Sequence, residues 1–407
     1  MSKVIVIGGG PAGMSAAYFS AKNGNETILL EKNEKLGKKL YITGKGRCNL
    51  TNDCDVKTVI ENVVSNPKFL YSAVNGFSPE NTKELISSTG LELKTERGNR
   101  VFPKSDKSSD VIKAFARLLS SVNVKVITSC RVLKLEFSNL EPIKVQKLLT
   151  DKGEFLCDKV IIATGGLSYP TTGSTGDGYM FAKEAGHTVI KPVAALSAMV
   201  LKEDLSAANG FLLKNVMLSV YKNGKKVFSE LGEMLIYKGG IDGPLTVSCS
   251  SLINRENLDE IVLSLDFKPA LSEEKLNNRL LRDFSENKGK LSVVLRKLLP
   301  YEFIPMVIKR AGINPEIQVS AVKEEDRKNL VKTIKTFELH PKKLFPIEAA
   351  IVTAGGVKVS EIDPKTMKSK LAENLYFAGE VIDVDAFTGG FNIQIALSTG
   401  HSAGISV

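Results

Sequence analysis

The hydrophobic pattern at the start of the chain predicts a β-α-β unit. Residues 4–7 form a short, fully apolar run, as expected of a strand buried in a parallel sheet. A glycine-rich turn follows, and small residues continue in a predicted helix to about Asn23. Residues 27–30 are a second apolar run, which ends at Glu31.

The end of the chain repeats this style. Residues 375–378 form an apolar strand, Gly379 and Glu380 follow it, and a helix led by glycine is predicted over 390–404. Residues 57–122 are mainly helical by pattern. Further strands are predicted before residue 164, at 124–128, 132–137, 145–150 and 160–163.

The middle of the chain has a different character. Apolar and polar residues alternate from 199 to 237, with Asn223-Gly224 as a tight hairpin turn. Helical periodicity follows over 272–311 and 323–335. A chain of 407 residues exceeds the ~250–300 residues that one core usually holds. We therefore predict a discontinuous α/β domain, built from both ends of the chain, with a mixed insertion.

Composition is that of an ordinary globular protein, with 43% hydrophobic and 25% charged residues. No apolar run reaches the ~18–20 residues that a membrane-spanning helix needs, and the first apolar run is too short for a signal peptide. We expect a soluble, cytoplasmic protein without a membrane partner. Its oligomeric state is left open.

The formal net charge of +10 changes the list of candidate ligands. A basic surface attracts phosphate groups, such as those of FAD, NAD(P)H, a CoA ester or RNA. A solvated lysine-rich surface is an equally open interpretation. The densest lysine cluster comprises Lys32, Lys35, Lys38, Lys39 and Lys45.

Cysteine and histidine spacing predicts no metal site. The five cysteines include no C-x-x-C pair, which argues against a redox dithiol, a zinc ribbon and a disulfide framework. The three histidines lie far apart in the sequence, so they give a metal site little to build on.

The first turn carries a dinucleotide-binding pattern, Gly8-x-Gly10-x-x-Gly13, between a predicted strand and a helix that begins near Pro11 and Ala12. Gly8 permits the tight turn, Gly10 lets a pyrophosphate approach the backbone, and Gly13 lets the helix pack against the strand. Free N–H groups of the helix N-terminus would bind the phosphates. The Glu31 carboxylate can accept hydrogen bonds from the ribose hydroxyls, which disfavours NADP in this position.

The C-terminal pattern favours FAD over NAD as the ligand. Glu380 follows an apolar strand and suits ribityl hydroxyls, and residues 388–392 open a helix. A helix N-terminus at the flavin pyrimidine edge would stabilise the negative charge of reduced flavin. NAD needs no such second half-site.

Five blocks carry a family resemblance: residues 37–52, 101–105, 163–179, 352–356 and 379–394. Together they resemble the BaiN/RdsA (YhiN-type) FAD-dependent oxidoreductases in the same order along the chain. The resemblance implies a Rossmann-type, glutathione-reductase-like FAD domain (1–191 and 338–407). It also implies a β-barrel-like insertion (192–255 and 318–337) and a helical subdomain (256–317).

The resemblance further implies a set of FAD contacts. They are Gly8, Gly10, Pro11, Ala12, Gly13, Glu31, Lys32, Gly44, Arg47, Cys48, Asn49, Val132, Thr164, Gly165, Gly379, Glu380, Asp383, Gly390, Phe391, Asn392 and Ile393.

The activity implied is NAD(P)H-driven reduction of an activated C=C bond. Members of the family act on 3-oxo-Δ4,6 bile-acid intermediates or on a uridine of large-subunit rRNA. We therefore expect an enone-like small molecule or its CoA ester as substrate, with dihydrouridine synthesis on rRNA and a non-enzymatic flavin sensor or binding module as alternatives. No second dinucleotide motif follows a β-α-β pattern. NADH or NADPH would therefore visit the flavin and leave before the acceptor binds, which predicts ping-pong kinetics.

One loop departs from the family pattern. The family sequence Thr-His-x-Gly-x-Ser-Gly-Pro corresponds to residues 237–244, with Lys238 for histidine and Asp242 for serine. Candidate proton donors are Lys238, Asp242, Tyr169, Tyr237 and Cys48. A solvated charge at Lys238, a turn cap at Asp242 and simple packing of Tyr169 are the plain alternatives. Cys48 lies beside Arg47, which could lower its pKa.

Overall fold

The computed structural model describes residues 1–138 and 142–407. The chain forms two compact units. Unit 1 comprises Met1–Ala195 and Pro346–Val407, and unit 2 comprises Leu196–Phe345. No helix in the described ranges is long and apolar enough to cross a membrane.

The strands are β1 (Lys3–Ile7), β2 (Glu26–Leu30), β3 (Thr51–Asn52), β4 (Val63–Ser65), β5 (Leu93–Glu96), β6 (Arg100–Pro103), β7 (Lys125–Ile127), β8 (Val132–Phe137), β9 (Val145–Thr150), β10 (Gly153–Leu156), β11 (Lys159–Ile162), β12 (Val189–Ala195), β13 (Met199–Leu201), β14 (Leu212–Lys222), β15 (Lys225–Tyr237), β16 (Gly240–Asp242), β17 (Ile261–Asp266), β18 (Phe337–Leu339), β19 (Pro341–Leu344), β20 (Val352–Val357), β21 (Leu375–Phe377) and β22 (Asp385–Ala386).

The α-helices are α1 (Pro11–Lys22), α2 (Lys38–Ile42), α3 (Val56–Glu61), α4 (Tyr71–Gly76), α5 (Pro79–Ser87), α6 (Ser108–Ser121), α7 (Asp177–Glu184), α8 (Pro244–Ile253), α9 (Glu273–Glu286), α10 (Leu291–Val294), α11 (Ile304–Arg310), α12 (Glu324–Lys335) and α13 (Phe391–Ser406).

A five-stranded parallel sheet with the order β21-β11-β1-β2-β7 lies at the centre of unit 1. The fully apolar runs of β1 and β11 are buried, as expected of strands that are covered on both faces. In a parallel sheet the carboxyl ends of all strands meet at one edge. The segments after β1, β2, β11 and β21 therefore lie along the same edge.

Helices α1 and α13 of unit 1 pack at backbone distance. A Cβ on Gly400 would overlap the Ala12 carbonyl oxygen, and a Cβ on Gly404 would lie 2.5 Å from the Ala16 carbonyl oxygen. These contacts advance together along both helices, so the helices run in the same direction. Phe391 precedes Gly400 by nine residues, whereas Pro11 precedes Ala12 by one. The difference of eight residues, at 1.5 Å per residue, places the first turn of α13 about 12 Å beyond the first turn of α1.

Unit 2 is built on a seven-stranded antiparallel sheet with the order β18-β17-β14-β15-β16-β13-β19. The predicted hairpin is confirmed, because β14 and β15 pair across Asn223 and Gly224, both with positive φ. Residues 256–317 contribute strand β17 to this sheet as well as helices. Buried and partly buried residues alternate along β17, as expected of a strand with one inward face. Helical periodicity begins only at α9. The helical subdomain implied by the resemblance is therefore not purely helical here.

Candidate cofactor site and active site

The turn between β1 and α1 depends on glycine for close backbone contact. Gly8 has φ of 107°, and a Cβ there would lie 2.5 Å from the Ala163 carbonyl oxygen. A Cβ on Gly13 would overlap the Gly8 carbonyl oxygen. The helix can therefore approach the sheet only because both side chains are absent.

Gly10 differs from its two neighbours in the motif. Its backbone is extended (φ −79°, ψ −178°), and a Cβ there would meet no protein atom within 4 Å. The protein itself gives no reason for glycine at this position, whereas a pyrophosphate lying against the backbone would. The first intrahelical bond is donated by Met14 to Gly10, which leaves the Ala12 and Gly13 amides free for phosphate oxygens. These residues fit a dinucleotide.

The acid at the end of β2 is held close to this turn. Glu31 is buried, and its Oε2 accepts a hydrogen bond from the Gly9 N–H at 2.7 Å. Its Oε1 accepts from the backbone and side-chain amides of Asn33, at 2.8 and 2.6 Å. A carboxylate has about four acceptor sites, so it can still accept ribose hydroxyls. The Lys32 ammonium is bound elsewhere, to Asp177 Oδ2 at 2.9 Å.

The segment 44–49 follows α2. Gly44 and Lys45 both adopt left-handed conformations. The Arg47 guanidinium binds Glu96 and Asp106 and lies over the Phe102 ring, with its central carbon 4.2 Å from the ring centroid. Arg47 therefore fixes the segment by its side chain.

Cys48 is fully buried, and burial raises the pKa of its thiol to about 12. Arg47 does not lower that pKa, contrary to the suggestion from their adjacency. The thiol is protonated at neutral pH and is a poor nucleophile.

Asn49 connects this segment to the start of α13. Its side-chain nitrogen donates to the Thr51 carbonyl oxygen at 3.1 Å, and its side-chain oxygen accepts from the Gly390 N–H at 3.0 Å. The first intrahelical bond of α13 is donated by Gln394 to Gly390. The amides of residues 391–393 are therefore free for a ligand. The Asn392 side chain is used locally, because it bonds both backbone groups of Ala386.

Two sets of free helix amides thus stand in unit 1, separated by about 12 Å along parallel helices. Each set carries the partial positive charge of a helix N-terminus. One set suits a pyrophosphate and the other an electron-rich ring edge. An elongated ligand with both features, such as FAD, matches this arrangement.

A partly buried ion pair lies at the carboxyl edge of the sheet and was not predicted as a unit. The Lys39 ammonium binds both Glu380 oxygens, at 2.8 and 3.1 Å, and Ser168 Oγ at 2.5 Å. Glu380 Oε1 also accepts from the Thr353 N–H at 2.9 Å and the Ser168 hydroxyl at 3.2 Å. We call Lys39, Ser168, Thr353 and Glu380 the Lys39–Glu380 cluster. Lys39 stood in the lysine-rich stretch of the sequence, but its partner lies 341 residues away.

The remaining predicted cofactor contacts occupy the same sheet edge or its flank. Gly165 has positive φ, and Thr164 Oγ1 is buried without a hydrogen-bond partner in the described ranges. Val132 is buried at the start of β8. Asp383 Oδ2 accepts from the Asn66 side-chain amide at 3.0 Å.

The candidate proton donors fall in different units. Tyr169, in unit 1, has a left-handed backbone and stands before Pro170. Lys238 and Asp242 lie in unit 2, Lys238 in the turn between β15 and β16 and Asp242 at the end of β16. Lys238 is exposed, with its ammonium 5.2 Å from the centroid of the Tyr237 ring. Asp242 Oδ1 accepts from the adjacent Gly243 N–H at 2.7 Å.

Comparison with known proteins gives full-length matches. The model of the HI0933-like protein Rossmann domain family matches residues 2–406. The chain is 29% identical to the 3-dehydro-bile acid delta(4,6)-reductase of Clostridium scindens, over 99% of this chain and 98% of that protein. It is also 29% identical to the ribosomal RNA dihydrouridine synthase of Haemophilus influenzae, over 100% of this chain and 98% of that protein.

A solved structure shares the fold. The 3-ketosteroid delta1-dehydrogenase of Sterolibacterium denitrificans, in complex with 1,4-androstadiene-3,17-dione, superposes with a TM-score of 0.53. It is 14% identical, over 99% of this chain and 98% of that one. The chain therefore belongs to the HI0933-like Rossmann-domain family and has the Rossmann-type fold of the FAD-dependent oxidoreductases.

Proposed function

We propose that this FAD-dependent oxidoreductase uses NADH or NADPH to reduce an activated C=C bond in an enone-like small molecule. The observation that carries the proposal is the pair of free helix N-termini, offset by about 12 Å in unit 1. The amides of Ala12 and Gly13 would bind the pyrophosphate, and Glu31 the ribose. Residues 391–393 would donate to the pyrimidine edge of the flavin.

The chain's own contribution is to bind, orient and stabilise charge. FAD, when bound, supplies the hydride that an electron-poor alkene carbon accepts. The free amides at the start of α13 would stabilise negative charge at the pyrimidine edge, because they carry the positive end of the helix dipole. The buried, protonated thiol of Cys48 takes no redox part in this scheme.

A proton must reach the second alkene carbon or the carbonyl oxygen. We propose Tyr169, Lys238 or Asp242 as its source, since each carries a side chain that can donate or relay a proton. Asp242 has the weakest case of the three, because its carboxylate already accepts a hydrogen bond from the Gly243 N–H. Tyr169→Phe, Lys238→Met and Asp242→Asn each remove one donor with little change of shape.

The substrate class follows from the relatives as a proposal. The Clostridium scindens relative is named for a bile acid, a small molecule. Dihydrouridine synthesis on rRNA is the second candidate, because the Haemophilus influenzae relative matches at the same 29% identity and the net charge is +10. Both reactions saturate an electron-poor C=C bond. They differ in the size and charge of the acceptor.

Anaerobic stopped-flow measurement on the FAD-loaded protein tests these proposals. We expect NADH or NADPH to reduce the flavin, and a steroid enone or a small enoate to reoxidise it with parallel-line steady-state kinetics. Reoxidation by unmodified rRNA, at a rate that falls steeply with salt, would select the second candidate. A protein that stays colourless with excess FAD, or whose flavin neither nucleotide reduces, contradicts the proposal.

The three donor variants refine the same experiment. The variant that lacks the true donor should reoxidise about 10²–10⁴-fold more slowly. Flavin reduction by NAD(P)H should keep its rate, because that half-reaction does not use the donor. If all three variants reoxidise at the wild-type rate, none of these residues is the proton source.

A further inference from the structure

The Lys39–Glu380 cluster holds an ion pair to which the proposed reaction assigns no role. The two side chains are only 21% and 20% exposed. Charges this far from water are costly unless they are paired and hydrogen-bonded. The two charged groups meet that condition, since Glu380 accepts four hydrogen bonds from three donor groups and Lys39 has three acceptor atoms.

The cluster joins the segments that carry the predicted cofactor contacts. Lys39 lies in α2, directly before segment 44–49. Ser168 follows Thr164 and Gly165 after β11, and Glu380 follows Gly379 after β21. The Thr353 hydroxyl also accepts from the backbone amides of Leu167 and Ser168, at 2.9 and 3.1 Å, which adds β20 to the connection. A shift of the Glu380 carboxylate would therefore disturb several contacts together.

The two carboxylate oxygens of Glu380 have different surroundings. Oε1 accepts from Lys39, Ser168 and Thr353, whereas Oε2 accepts from Lys39 alone among the described residues. An ionised carboxylate oxygen accepts about two hydrogen bonds. Oε2 therefore keeps acceptor capacity for a hydroxyl group of a ligand.

Lys39 is the cation that sets the charge state of this carboxylate. Burial alone would raise the Glu380 pKa, but the Lys39 charge and hydrogen bonds, with those from Thr353 and Ser168, hold that pKa below its usual value. Tyr179 also senses Glu380, and its own pKa is raised by burial and by the charges of Glu380 and Asp383. Tyr179 is neutral at physiological pH, so it does not replace the lysine.

We infer that Lys39 is a positioning residue for the cofactor, which keeps Glu380 ionised and oriented as an acceptor for the ribityl hydroxyls of FAD. This inference rests on the proposed FAD site. It assigns Lys39 a role through Glu380, distinct from the proton donors considered above.

Lys39→Met tests the inference through the pH dependence of FAD affinity. Wild-type apoprotein should bind FAD with nearly constant affinity between about pH 6 and pH 8, because Glu380 stays ionised. In Lys39→Met, burial is no longer offset by a cation, so the Glu380 pKa should rise towards neutrality. FAD needs the ionised carboxylate as an acceptor for its ribityl hydroxyls. Affinity should therefore fall as pH falls below the raised Glu380 pKa, by up to tenfold per pH unit, since one proton is coupled.

Three further variants separate charge from shape. Lys39→Arg should restore a flat profile of FAD affinity against pH, because it keeps the positive charge. Lys39→Met combined with Glu380→Gln should also be flat, because no titrating group remains. Lys39→Gln keeps a hydrogen-bond donor and removes the charge, so it should show the sloped profile even if the methionine variant folds poorly.

Lys335 provides a matched control in unit 2. Its ammonium lies 2.6 Å from Asp266 Oδ2, and the two side chains are 13% and 17% exposed. Lys335→Met should lower the free energy of unfolding without making FAD affinity depend on pH. A flat profile for both Lys39→Met and Lys39→Gln overturns the inference, whatever their stability. Failure of the wild-type protein to bind FAD at any pH overturns the proposed function as well, so the two failures can be told apart.

Discussion

Glycines have different surroundings in the two units. In unit 1, Cβ atoms on Gly8, Gly13 and Gly400 would strike backbone oxygens. In unit 2, Cβ atoms on Gly224, Gly289 and Gly312 would meet no atom within 4 Å. Unit 1 needs these glycines for close approach of its backbones, whereas unit 2 uses most of its glycines for turns.

The contrast shows how each unit is held together. Helix α1 and strand β1 in unit 1 approach so closely that added carbon atoms are excluded. Unit 2 has an ordinary side-chain core, in which Phe303 is fully buried with ring contacts to Phe267 and Phe211, at centroid distances of 5.2 and 6.4 Å. The contact between α1 and α13 in unit 1 should therefore be sensitive to added atoms, and the Phe303 site in unit 2 to removed atoms.

Phe303→Ala should give the largest effect. Removal of a fully buried phenylalanine costs about 3–5 kcal/mol, because transfer energy is lost and a cavity remains. Urea unfolding followed by circular dichroism measures this loss, and hydrogen exchange with mass spectrometry locates it. Faster exchange should be confined to unit 2. Equal acceleration in unit 1 would show that the two units do not differ in this way.

Gly400→Ala should rank second and act on unit 1. Alanine favours a helix by about 1 kcal/mol over glycine, but here its methyl group would overlap the Ala12 carbonyl oxygen. We expect a net loss of about 1–3 kcal/mol, typical of overpacking, together with weaker FAD binding because α1 and α13 must separate. Urea unfolding and FAD titration measure the two effects.

The matched control for Gly400→Ala is Gly76→Ala, at the end of α4. A Cβ there would stand 3.9 Å from the His401 ring, an ordinary contact distance. This variant should keep or slightly raise stability. If Gly400→Ala behaved in the same way, close helix approach would not limit unit 1.

The buried thiols should give the smallest effect. Cys48 in unit 1 and Cys249 in unit 2 are both fully buried, and burial raises the pKa of each thiol, to about 12 for Cys48. In the folded protein at pH 8 neither should react with Ellman's reagent, whereas in urea both should react. Cys48→Ala should leave the rate of flavin reduction unchanged. A fast-reacting Cys48 would show that its surroundings do stabilise a thiolate.

Local patterns in the sequence determined much of the fold. Short apolar runs predicted β1, β2 and the buried strand that precedes Thr164, and glycine spacing predicted the turn into α1. Asn223-Gly224 predicted the β14–β15 hairpin. Each of these features depends on neighbours within a few residues, so a local reading was sufficient. Strand β17 lies inside a region that the resemblance implied to be helical. It was missed because an alternating run of only six residues gives a weak signal.

Only the tertiary structure decided how distant segments meet. Glu31 and Glu380 were both predicted as cofactor contacts, but the sequence could not show that Lys39 binds Glu380 across 341 residues. Nor could it show that α1 and α13 run parallel with their first turns about 12 Å apart. These relations depend on the order of strands in the sheet and on atoms missing from glycines at a helix contact. Neither the strand order nor that contact leaves a periodic trace in the chain.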